Sequence, residues 1–100
     1  MLSLTAHFKA GRTTFYLLEG HTEIDNSSDP EELAHWIVQE RSEIAEQIHL
    51  SRICNKPQEA ISFHNVSSSQ EQDFIECVSD GFTTEYGDSV KEYANEQGDY

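Results

Sequence analysis

Hydrophobic and polar positions alternate from the start of the chain. Leu2, Leu4, Ala6 and Phe8 fall on one side of an extended segment, and Ser3, Thr5 and His7 fall on the other. A period of two is that of a strand with one buried face. Ala10-Gly11-Arg12 supplies a turn, and residues 13–18 are β-branched and aromatic, so the pattern predicts a β-hairpin. Gly20 interrupts it, residues 21–24 can add a third short strand, and residues 25–28 read as a loop.

The period then becomes helical. Asp29 suits an N-cap, Pro30 the first helical position, and Glu31 and Glu32 the positive end of a helix dipole. Leu33, Trp36, Ile37, Ile44 and Ile48 recur at helical spacing and predict one long helix, ending at about His49 or further on toward Cys54, and in any case before Pro57. Gln39, Glu40 and Arg41 stand where another apolar layer is expected, which marks a kink or a second start at Ser42. Ile61 and Phe63 alternate within a strand over residues 60–66. A capping box follows, either Ser68 with Glu71 or Ser69 with Gln72. It opens a short helix carrying Phe74, Ile75, Cys77 and Val78 that should stop at Gly81. Residues 83–87 read as irregular, and residues 89–97 as a last helix around Val90, Tyr93 and Ala94.

These elements predict an α+β fold. It consists of a small antiparallel sheet (the N-terminal hairpin plus one or two further strands) packed by one long helix, with one or two short C-terminal helices. Residues 1–97 form a single domain, and residues 98–100 a frayed acidic C-terminus.

Composition limits how much this fold can bury. Hydrophobic residues make up 36% of the 100 positions and glycine adds 5 more, which together still fall below the about 45–50% usual for a soluble domain with glycine counted. The core must rest on a few large side chains. Trp36, on the apolar side of the long helix, is the leading candidate, and Trp36→Ala should cost about 3–5 kcal/mol if it is core.

Charge adds the functional signal. There are 19 acidic residues against 6 basic ones, for a formal charge of −13. Such a chain does not neutralise phosphates, so direct binding to nucleic acid or an anionic membrane is not expected, whereas attraction to a cationic protein surface is. The excess is uneven. Residues 1–56 hold nine acidic and five basic positions, a net of −4, while residues 57–100 hold ten acidic positions and only Lys91, a net of −9. Asp88, Glu92 and Glu96 are four apart, Glu85 and Asp99 extend the series by three at either end, and Glu76 and Asp80 repeat the spacing earlier. On a helix these carboxylates line up at roughly 6 Å per step along the axis, near the spacing of phosphates on a strand. Each such like-charge pair costs roughly 0.2–0.5 kcal/mol. Acidic runs also serve as plain solvating tails. Here Phe82, Tyr86, Tyr93 and Tyr100 are interleaved with the acids, and such rings can anchor an interface.

Catalytic chemistry finds no support in the spacing. His7, His21, His35, His49 and His64 form no HExxH or H-x3-H pair, Cys54 and Cys77 form no CxxC, and the five glycines make no phosphate-binding loop. The chain is therefore expected not to be an enzyme and to use no metal and no cofactor. Residues 1–9 carry no basic region ahead of a hydrophobic run, and no stretch reaches the about 18 apolar residues of a membrane span. The cysteines then read as reduced thiols and the location as the cytoplasm of a bacterial host.

Glu85, Asp88, Glu92, Glu96 and Asp99, with Glu71, Asp73, Glu76 and Asp80 before them, carry a resemblance. In size, charge and arrangement the chain resembles the small acidic inhibitors of phages and mobile elements, of the anti-CRISPR and antirestriction kind. The likeness is one of kind, covers mainly residues 69–100 and has no diagnostic motif. It implies a monomeric or homodimeric inhibitor that mimics DNA and fills a basic channel of a CRISPR effector subunit or a restriction enzyme. Its partner-binding residues would be Glu76, Asp80, Glu85, Tyr86, Asp88, Glu92, Tyr93, Glu96 and Asp99. The alternative is an acidic immunity protein or antitoxin that neutralises a basic toxin or nuclease.

Overall fold

The computed structural model describes the backbone of residues 1–98 and the side chains of residues 1–86. Strands β1 (Leu2–Lys9), β2 (Arg12–Glu19) and β3 (Thr22–Ser27) are followed by helices α1 (Pro30–Glu40) and α2 (Ser42–Ile53), strand β4 (Ile61–His64) and helix α3 (Ser68–Gly98). The four strands form one mixed sheet in the order β3-β2-β1-β4.

The hairpin forms as its alternation predicts. Register runs from Leu2 opposite Glu19 to Lys9 opposite Arg12, closing on a two-residue turn in which Ala10 (φ 54°) and Gly11 (φ 76°) are both left-handed. Such turns match the twist of the strands they join. Leu2, Leu4 and Ala6 are buried opposite Leu17 and Phe15. Phe8 departs from the expectation: it shares their side of the strand yet is 71% exposed, with Thr13, Asn65 and Gln70 around it. β3 is longer than expected, and its register skips Ile24, since Leu17 faces Asp25 while Leu18 faces Glu23. That bulge lets Ile24 pack partly against the core.

β4 corrects the expectation of a purely antiparallel sheet, because it pairs parallel to β1, with Leu2 opposite Ile61 and Leu4 opposite Phe63. Alternation specifies which face a strand buries and carries no information about strand direction. Direction here is set by the helices that carry the chain from the β3 edge across to the β1 edge.

The predicted long helix is two helices, the second starting at Ser42 as the polar run marks and ending at Ile53. Asp29 caps α1 as predicted, its Oδ1 accepting from the Glu31 N–H at 3.0 Å. Arg41 leaves the helical region (φ −134°, ψ 58°), ends α1 and precedes α2. Its guanidinium reaches Glu19 at 3.4 Å. A straight helix would have pressed the polar run Gln39-Glu40-Arg41 toward the core, and the break spares that cost. Trp36 sits at the margin, partly buried against the cluster. The largest fully buried side chain is Phe74, edge-on to Phe63 with ring centroids 5.9 Å apart.

The two short C-terminal helices are one helix, and its cap lies one residue before the first predicted box and two before the second. The Gln70 N–H donates to Ser67 Oγ at 3.2 Å, and the Ser67 N–H donates back to Gln70 Oε1 at 3.1 Å. Gly81 does not stop it. Gly81 faces α1, where a Cβ would lie 3.1 Å from Val38 Cγ2, so this glycine permits close approach of two helices. Thr83 and Thr84 stay helical, their hydroxyls donating to the carbonyls of Ser79 and Asp80 at 3.0 and 2.9 Å. Gly81→Val should force α1 and α3 apart and cost about 1–3 kcal/mol. A urea midpoint unchanged from the parent would show that the helices do not touch there.

Candidate functional site

α3 is the element on which the predicted partner-binding residues stand. Its inner side is anchored by Phe74, Val78 and Phe82, each at most 3% exposed. Between them lies the one buried polar residue among those described, Ser79, at 0% exposure. Its hydroxyl lies 2.6 Å from His49 Nδ1 and 3.2 Å from Arg52 Nη1. A guanidinium can only donate, so the Ser79 oxygen accepts from Arg52, while the direction of its hydrogen bond with His49 Nδ1 depends on the imidazole tautomer. The His49 ring also lies 5.7 Å from that of Phe82.

Arg52 continues outward from this buried pair to the acidic side of α3. Its guanidinium lies 3.4 Å from Asp80 Oδ1 and 3.8 Å from Glu76 Oε1. One arginine on α2 thus serves two of the carboxylates expected to face a partner. All three side chains are exposed, at 41% for Arg52, 57% for Glu76 and 76% for Asp80. Pairs so placed add at most about 1 kcal/mol each. Their effect is local neutralisation rather than stability.

His49 gives this contact a pH dependence. Burial lowers its pKa below the usual 6.5, and Arg52 lowers it further, while Asp80 opposes both. The unfolded chain therefore takes up the proton first as pH falls. The contribution to stability is complete above about 6.5, begins to decline as pH drops below that value, and is fully lost below the folded-state pKa. The α2–α3 contact should loosen on acidification through this window. Thermal melts at stepped pH should show a decline that His49→Gln removes, and an identical pH profile for the two proteins would exclude His49 as its source.

The unbroken helix decides which acids share a side. Glu85 lies nine residues after Glu76, about two and a half turns, and so on the opposite side of α3. Asp80 and Glu92 are twelve apart, leaving them about 120° from each other. Glu76 therefore stands opposite the later acids, and Asp80 between, about 80° from position 88. Glu76 and Asp80 face α2 and Arg52. Position 85 begins the later line, which continues through positions 88, 92 and 96 within about 80° of arc. Glu85 accepts a hydrogen bond from Gln39 Nε2 at 3.2 Å. Tyr86, 41% exposed, leans on Phe82 with ring centroids 4.8 Å apart. Asp88, Glu92, Tyr93 and Glu96 lie within the span of α3 but their side chains lie outside the described residues, as does Asp99 altogether.

Nothing in the sequence joins His49, Arg52 and Ser79 into one group. Each is unremarkable in its own segment, and only the packing of α2 on α3 joins them. Among the described residues, no group of three or more His, Cys, Asp or Glu is placed to hold a metal ion. Cys77 is a poor nucleophile, since burial first, and then Glu31, Asp80, Asp73 and Asp29, push its pKa up. An open cleft of about 480 Å³ between α2 and α3 is lined by Arg52, Lys56, Asn55, Ser51, Glu71 and Gln72 among others. It contains no histidine or cysteine. No helix among the described residues is long and apolar enough to cross a membrane. No family model, curated protein or solved structure matches this chain.

Proposed function

We propose that this chain is a stoichiometric inhibitor that occupies a positively charged, nucleic-acid-binding surface of a bacterial defence complex, of the anti-CRISPR or antirestriction kind. The contact is the acidic line on the C-terminal half of α3. One observation carries this reading: α3 continues without a break past Phe82, the last buried residue among those described. Positions 85, 88, 92 and 96 therefore belong to one continuous helix and keep one register.

The chemistry would be charge-assisted pairing between these carboxylates and arginines of the groove. Tyr86, exposed and already supported by Phe82, supplies an aromatic contact at low ordering cost. Glu76 and Asp80 contribute less, because Arg52 already holds them. Long-range steering by the net charge of −13 makes the encounter fast and salt-sensitive.

The test is competition. With the basic partner captured from a bacterial host and purified, added nucleic acid should displace this chain, and the complex should weaken steeply as salt rises. Simultaneous binding of nucleic acid and inhibitor would rule out occupation of the channel. A captured toxic nuclease, neutralised by the same acidic line, would instead make the chain an immunity protein or antitoxin.

A further inference from the structure

We infer that the tip of the β1–β2 hairpin is a second docking surface, and that its occupant is the acidic end of α3 from another copy of this chain. The tip is the chemical opposite of the rest of the molecule. None of residues 1–18 is acidic, and all 19 carboxylates follow them. Lys9 and Arg12 face each other across the turn, both exposed. The ion pairs among the described residues engage Arg41, Arg52 and the N-terminus, and neither of these two. Beside them Phe8 is the most exposed large hydrophobic side chain described, at 71%. It borders a cavity of about 310 Å³ shared with Ala6, His7, Thr13, Asn65 and Gln70. The two left-handed turn residues hold this surface in one shape, which lowers the ordering cost of docking.

The topology puts the tip and the acidic end of α3 far apart. α3 begins beside the tip, since Gln70 lines the same cavity as Phe8. It then runs back until Glu85 meets Gln39, two residues from Arg41, which is paired with Glu19 beside the N-terminus. The last dozen residues of the helix extend further in that direction. The molecule is 51 Å long and 24 × 22 Å across; two of its six basic residues, Lys9 and Arg12, stand at the tip, away from Glu85.

That separation selects the partner. Two copies repel as wholes, but charges are screened over about 8 Å at physiological salt, far less than 51 Å. What meets, locally, decides the outcome. Side-by-side approach sets acid against acid, whereas tip-to-end approach sets Lys9 and Arg12 against positions 85, 88, 92 and 96. Five other carboxylates already have partners, namely Glu19 on Arg41, Glu76 and Asp80 on Arg52, Glu32 on Ser27 and Glu23 on Asn26, and Glu85 accepts only from the neutral Gln39. Because the two surfaces differ, the contact is heterologous and copies add in series rather than closing as a pair. The association needs no external target.

Sedimentation velocity at physiological salt, where whole-molecule repulsion is screened, at concentrations up to about 1 mM, tests this directly. The expected result is a sedimentation coefficient that climbs with concentration past that of a dimer and falls back in high salt. Lys9→Glu with Arg12→Glu should weaken association by about tenfold or more, and Phe8→Ala should weaken it as well. The tip-reversed protein and a second variant, Asp88→Lys with Glu92→Lys and Glu96→Lys, should each stay monomeric alone. Mixed, they should associate again, since an acidic tip now meets a basic helix end. Circular dichroism verifies that each variant is folded. A parent that is monomeric throughout, assembly that stops at two copies, association that survives the tip reversal, or a mixture that stays monomeric would each overturn the inference.

Discussion

Phe74→Ala is expected to cost about 3–5 kcal/mol, the range for deleting a large aromatic ring from a closed core. Phe74 is 1% exposed and touches Phe63 edge-on, so it joins α3 to the β4 edge of the sheet. With 36% hydrophobic residues and a total stability of roughly 5–15 kcal/mol for a domain of any kind, the loss is a large share of what holds the fold. The thermal midpoint should drop by about 12 °C or more. Trp36→Ala, by contrast, should fall well short of the loss expected of a core residue, because Trp36 only borders the cluster. Urea melts of the two variants decide between them. Equal losses, or a larger loss at Trp36, would place the keystone on α1 instead of α3.

Reversing Asp88, Glu92 and Glu96 to lysine should weaken binding to the basic partner by about a hundredfold or more, since close charge pairs in an interface are each worth about 1.5–7 kcal/mol. The fold should survive. Reversal exchanges repulsion among three acids for similar repulsion among three lysines, makes positions 85 and 88 opposite in charge, and places cations toward the C-terminus of a helix, where the dipole favours them. The control is Glu76→Lys with Asp80→Lys. These positions face α2 beside Arg52, so this pair should affect binding far less while adding repulsion against α2. Affinity measured at low and high salt separates the cases. If the control abolishes binding and the triple reversal leaves it intact, the partner sits on the α2 side and the proposed surface is wrong.

The elements were legible where a signal repeats locally. The hairpin follows from the alternation of Leu2, Leu4 and Ala6 with Ser3 and Thr5, and α1 from Asp29-Pro30 and the apolar spacing after it. The acid excess of the last third, and its spacing of three and four, are properties of the chain itself. Errors arose where one residue type serves two purposes. Gly81 has the form of a helix stop but fills a helix crossing, and Phe8 has the alternation of a core residue but lies at the hairpin tip.

What the order of residues determined alone is thus periodic and short-ranged: which segments extend, where α1 begins, and how much negative charge the C-terminal third carries. Tertiary structure alone decided the direction of β4, the pairing of Arg41 with Glu19, the burial of Ser79 between His49 and Arg52, and which carboxylates of α3 meet α2. The physical reason is one of range. Backbone period and capping are settled among residues within about four positions of one another, whereas the partner of a charge depends on which elements pack together. Arg52 and Asp80 are 28 residues apart in sequence and 3.4 Å apart in space.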